Sequence, residues 1–133
     1  MKRRHKNKYI MEPETAKIII NIATLYFIMK DLKESAVYYQ HALEVLYRGH
    51  QKDDESYAEV GKVHMSLANI NRYLGNSIEA RTQFRLALEQ LDMCQDHDLV
   101  VDEKGVKISQ LMLEARYALK AMQGSGAFSY GKK

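Results

Sequence analysis

Shifted by 45 residues, the chain lies over itself, and no other feature constrains its fold so tightly. Lys17 falls on Lys62, Ala23 on Ala68, Asp31 on Asn76 and Glu34 on Glu79. Further on, Tyr39 meets Phe84, Ala42 meets Ala87, Leu43 meets Leu88, Glu44 meets Glu89 and Leu46 meets Leu91. A second shift of 45 carries Lys62 to Lys107 and Asp53 to Asp98. The matches sit at apolar and helix-capping positions, which a repeated packing unit must keep in order to stack on its neighbours.

The unit reads as a helical hairpin. Ile18, Ile22, Leu25, Tyr26 and Met29 fall at helical spacing over 14–29, with Pro13 at the entry and Glu12 and Glu14 suiting the positive end of the dipole. Lys30-Asp31 is a tight break. Asp31 with Glu34 forms a capping-box pattern for a second helix, whose stripe is Ala36, Tyr39, Ala42, Leu43 and Leu46. Gly49 is placed for a left-handed stop, and His50–Glu55 is a polar connector. The second unit follows suit. Val60, Val63, Leu67, Ile70 and Leu74 point inward over 56–74, Gly75-Asn76 turns, and Asn76 with Glu79 repeats the cap. Ile78, Ala80, Phe84, Ala87, Leu88 and Leu91 line the partner helix. After polar Gln95–Asp98, a fifth helix is predicted over 102–122 through Val106, Ile108, Leu111, Met112, Ala115, Leu119 and Met122. One Pro and seven Gly in 133 residues suit such a helical chain.

These hairpins resemble the tetratricopeptide repeat (TPR). The resemblance rests on Ala23, Tyr26, Lys30, Ser35, Tyr39 and Ala42 in the first unit and Ala68, Asn71, Gly75, Ala80, Phe84 and Ala87 in the second. Small residues stand where helix axes approach closely, and an aromatic fills the space between hairpins. The resemblance covers 14–93 and, more loosely, 104–122, where Leu113 occupies a small-residue position. The family period is about 34 residues. The longer period here is similar to that of kinesin light chains and polarity adaptors, the extra residues adding about three helical turns. The resemblance implies an all-α fold of five helices: two and a half antiparallel hairpins in a segment of right-handed superhelix. It implies a domain over 13–122 that binds an extended or helical partner segment in a concave groove, as a scaffold, adaptor or complex subunit.

In the family the first helix of each hairpin lines that groove. Carried over, the groove residues are Lys17, Ile20, Asn21, Thr24 and Phe27, then Lys62, Met65, Ser66, Asn69 and Arg72 with Tyr73 at the edge, then Lys107, Gln110, Leu111, Glu114 and Tyr117. Lys17, Lys62 and Lys107 are in phase and could form a ladder of cations suited to an acidic segment. Asn69 can bond a ligand backbone and Arg72 can hold a carboxylate. The two-carboxylate clamp that some family members use is not matched: its positions hold Ile20, Thr24, Ser66, Lys107 and Leu111, and only Lys107 fits.

Charge divides the chain. The net charge is +3, yet Lys2, Arg3, Arg4, Lys6 and Lys8 stand in the first eight residues with no acid among them. Without them 15 basic residues face 17 acidic ones. Residues 1–12 therefore read as a basic flexible arm, able to contact RNA or acidic protein through weak, salt-sensitive pairing. That arm supports an alternative reading as a nucleic-acid-associated accessory protein. Residues 123–133, rich in Gly, read as a flexible tail. No apolar run is long enough for membrane insertion. The single Cys94 fits a reducing compartment, intracellular and most simply cytoplasmic, with nuclear and mitochondrial locations left open by the basic N-terminus. Cys94, Asp96, His97 and Asp98 read as a polar loop and not a metal site, His41 and His64 as exposed or hydrogen-bonded helix residues, and no catalytic frame or phosphate loop stands out. Neither enzyme activity nor a cofactor is expected. The open ends of so short a repeat suggest self-association or membership of a larger complex.

Overall fold

The computed structural model describes the backbone of residues 2–49 and 51–131 and the side chains of residues 14–49 and 51–123. Among these, the chain is all-helical: α1 (Lys2–Ile28), α2 (Leu32–Arg48), α3 (Asp54–Tyr73), α4 (Ser77–Asp92) and α5 (Ile108–Gly131). They fall into two compact units, 1–52 and 53–133.

In the first unit α1 and α2 pack as a hairpin. The approach is made by the smallest side chains: Ala16, Ala23, Ser35 and Ala42 are fully buried. Ser35 Oγ donates to the Ala23 carbonyl at 2.7 Å, and the Thr24 and Tyr39 hydroxyls share a bond of 2.9 Å. Tyr26 and Tyr38 stack with ring centroids 5.4 Å apart. The turn is a Schellman motif, in which the Asp31 N–H reaches the Tyr26 carbonyl and the Lys30 N–H that of Phe27. Lys30 takes the left-handed conformation this requires, at φ 67°.

The second unit repeats that plan. Ala68, Ala80 and Ala87 are fully buried at the positions of Ala23, Ser35 and Ala42. Gly75, at φ 83°, takes the place of Lys30, and the Asn76 N–H reaches the Asn71 carbonyl. The two N-caps, Asp31 and Asn76, share one backbone conformation, with φ near −90° and ψ 78° and 76°. At Gly61 the α3 backbone comes so near α4 that a Cβ there would lie 2.7 Å from Leu91 Cγ. α5 packs mainly on α4. Its Ala115 and Ala118 join Met65, Ala68, Phe84 and Ala87, while Ile108 and Met112 join Ala58, Leu91 and Cys94.

Several sequence expectations need correction. α1 begins at Lys2, not 14, and runs through Pro13 despite the backbone hydrogen bond that a proline removes from a helix. Ile18, Leu25 and Met29 are exposed, since α1 turns its small residues toward α2. Ile78 is also exposed. Asp31 accepts from the Glu34 N–H, but Asn76 forms no side-chain cap and bonds Asn71 instead. Gly49 closes α2 at φ −98°, outside the left-handed region. α3 begins two residues early because Asp53 caps it, accepting from the Ser56 N–H at 2.8 Å. α5 starts at Ile108 rather than 102 and runs on to Gly131, through residues expected to form a tail. Its start is displaced by a turn at 102–105. Asp102 accepts from the Lys104 and Val106 N–H groups, Gly105 adopts φ 82°, and Val100 pairs with Lys107.

Candidate functional site

The expected groove residues divide between the two units. In the first, Lys17 and Asn21 are exposed and Ile20 is half-buried. Thr24 is occupied inside the hairpin: its hydroxyl bonds the Ile20 carbonyl at 2.8 Å as well as Tyr39. Phe27 lies at the edge of exposure.

In the second unit the set changes character. Met65 is 6% exposed and belongs to the core under α5, so it is not a groove residue; α5 covers the face that spacing alone leaves open. Lys62 Nζ donates to the Val101 carbonyl at 2.9 Å and lies 3.9 Å from Glu59. Lys107 precedes the first residue of α5, its Nζ 3.9 Å from Asp98 and its N–H bonded to Gln110 Oε1 at 2.8 Å. Neither lysine is therefore a free rung of a cationic ladder, and Gln110 serves as a helix cap. What remains outward is Ser66 and Asn69, half-buried on α3, with exposed Arg72, then exposed Glu114 and Tyr117 on α5. Leu111 packs on the core. The Arg72 guanidinium carbon lies 5.8 Å from the centroid of Phe84, a cation–π contact that steadies its base. Tyr73 is exposed beside it. The side chains of Lys2, Arg3, Arg4, Lys6 and Lys8 lie outside the described residues, although their backbone belongs to α1.

The sequence gives little sign of how firmly the segment 93–107 is held. Asp54, in the first turn of α3, accepts from the Gln95 N–H at 2.8 Å and the Asp96 N–H at 2.9 Å. These two bonds hold its carboxyl below the ordinary value, and the nearby His97 adds to the shift. The Ile108 N–H reaches the Leu99 carbonyl and the Ser109 N–H the His97 carbonyl, so the connector satisfies orphan donors at the start of α5. Cys94 is buried with Sγ 3.5 Å from the Asp54 carbonyl. Burial first, and the Asp54 charge second, push its thiol up to about 11. No group of three or more metal-ligating side chains occurs among the described residues.

A second buried polar group ties α3 to α4. His64 Nδ1 is 2.6 Å from Gln83 Oε1, and Gln83 Nε2 donates to Glu79 Oε2 at 2.8 Å. Burial lowers the His64 pKa, against the opposing influence of the Gln83 bond and of Glu89. His41, by contrast, is exposed beside Glu44. No helix among the described residues is long and apolar enough to cross a membrane.

Compared with protein-family models, curated proteins and solved structures, the chain matches none.

Proposed function

We propose that this chain is a TPR-like, non-enzymatic interaction module that binds an extended or helical polypeptide segment. The observation that carries the reading is the duplicated hairpin. Both copies have the same left-handed turn, and both bury small residues at the same three positions. Such a design uses its core to hold helix faces at fixed spacing, and those faces are its product. In the second unit the proposed contact residues are Ser66, Asn69 and Arg72, with Glu114 and Tyr117 from α5. Asn69 offers a donor and an acceptor to a partner backbone, and Arg72 offers a fork for a carboxylate. Lys62 and Met65 are left out of this set because the fold already uses them.

The test is affinity capture from the native source with the full chain as bait, beside an Asn69→Ala/Arg72→Ala variant of unchanged helical content. A partner that binds the wild type and at least tenfold less of it to the variant supports the reading. A partner retained equally by both overturns it. Capture abolished by moderate salt and by deleting residues 1–9 also overturns it, in favour of the basic arm and a nucleic-acid or acidic ligand.

A further inference from the structure

We propose that His64, Gln83 and Glu79 form an acid-sensitive latch in the second unit, and that proton uptake at His64 opens the α3–α4 hairpin while the α1–α2 hairpin stays closed. One amide sets the geometry. Gln83 Nε2 donates to Glu79 Oε2 at 2.8 Å, which turns Gln83 Oε1 toward His64 Nδ1, 2.6 Å away. An amide oxygen only accepts, so Nδ1 is the donor and the neutral ring keeps its lone pair on Nε2. A second proton must enter at Nε2 and bring a full charge into a residue that is 3% exposed. Gln83 is buried too and has no charge to balance it.

The surroundings offer that charge little. From α4, Glu79 reaches the ring only through the Gln83 amide, and Glu89 acts on it through space. On α3 itself, Glu59 is paired with Lys62 at 3.9 Å. α5 brings Ala115 and Ala118 against Met65 and Ala68, and none of these is charged. Burial outweighs the favourable influences from α4 and lowers the His64 pKa. A form in which α3 and α4 have parted hydrates the ring and binds the proton more tightly, so acid favours that form. The first unit lacks the device. Forty-five residues earlier, His64 and Gln83 become Ile19 and Tyr38. The described histidine of that unit, His41, is already exposed, so its protonation needs no opening. The latch does not rest on the binding reading. Where that reading holds, acid loosens the helix that carries Ser66, Asn69 and Arg72.

Amide hydrogen exchange of the full chain at about pH 7.5 and about pH 5.5, corrected for the intrinsic rates, tests this. Ordinary carboxylates stay ionised across that range, and histidines do not. Protection in α3 and α4 should fall at least threefold at the lower pH, while that in α1 and α2 stays unchanged. His64→Leu/Gln83→Leu replaces both partners by apolar side chains and should abolish the difference. Should that variant fail to fold, the His64 ring signal of the wild type provides the second reading. Its midpoint should lie below about 6.5, the ordinary histidine value, and amide signals of α3 and α4 should shift with the same midpoint. Equal losses in both hairpins, a loss that persists in the double variant, or a His64 midpoint at or above the ordinary value overturns the proposal. The Asn69→Ala/Arg72→Ala variant should keep the acid response, so failure of this proposal and failure of the binding reading are separable.

Discussion

At the scale of the residue, the two turns differ in one informative way. Lys30 and Gly75 occupy the same left-handed position, but only the glycine is free of the Cβ clash there. Lys30→Gly should stabilise the protein by ~0.5–1 kcal/mol and Gly75→Ala should cost ~1 kcal/mol, both read from urea midpoints. Nothing lies near a Cβ built at Gly75, so the cost there is backbone strain rather than crowding. Two titratable groups give the fold a pH dependence. His64 has a lowered folded pKa, so the unfolded chain takes up the proton more readily, and stability falls as pH drops below about 6.5. Asp54 has a lowered folded pKa too, but its contribution is present above the ordinary carboxylate value and is lost as pH falls below about 4. Thermal melts should therefore decline from pH 7 to 5. Below pH 4 an Asp54→Asn variant should decline less than the wild type; equal losses would mean that Asp54 is not the group involved. Asp31 as a cap is legible in the sequence, whereas the Asp54 bonds are not. Asp54 and Gln95 are 41 positions apart, and local pattern carries no information about such a pair.

At the scale of the element, each helix is legible by its period, but not by which side it hides. Ile18, Leu25 and Met29 promise an inward stripe, yet α1 meets α2 through Ala16 and Ala23. A helix with several neighbours has several faces, and an apolar stripe states only that something covers it. Met65 shows the reverse, a groove residue by register that lies beneath α5. Helix ends are lost where tertiary bonds decide them, as at the 102–105 turn that delays α5. Gly61 marks the tightest contact between α3 and α4. Gly61→Ala gains helix propensity, but Leu91 must move, and a net loss of ~1–2 kcal/mol is expected in denaturant unfolding. The connector gives another test. Cys94 should resist alkylation at pH 8 because its thiol is buried and protonated. Asp54→Asn, which leaves one side-chain oxygen where two accept the Gln95 and Asp96 N–H groups and removes the charge that helps raise the thiol, should speed that alkylation several-fold in a still-helical protein. An unchanged rate would show that the connector is held by other means.

At the scale of the whole molecule, one hairpin plan is written twice. Its small residues close the hairpins, and several of its larger ones, Ile18 and Leu25 among them, are exposed. This much is legible because the repeat is internal: the chain provides its own comparison, and shared small positions outlast the divergence around them. The surfaces are less legible, since a surface position is constrained only by a partner. The 45-residue register can be tested in a single series of urea unfolding curves on Ala23→Leu, Ala68→Leu and Leu113→Ala. The first two overfill the fully buried closest approach of each hairpin, and each should cost ~1–3 kcal/mol. Leu113 stands at the same register position in the unpaired α5 and is 66% exposed, so its truncation should change stability by no more than ~0.5 kcal/mol. Leucine tolerated at 23 and 68, or a core-sized loss at 113, would contradict the register on which this reading of the protein is built.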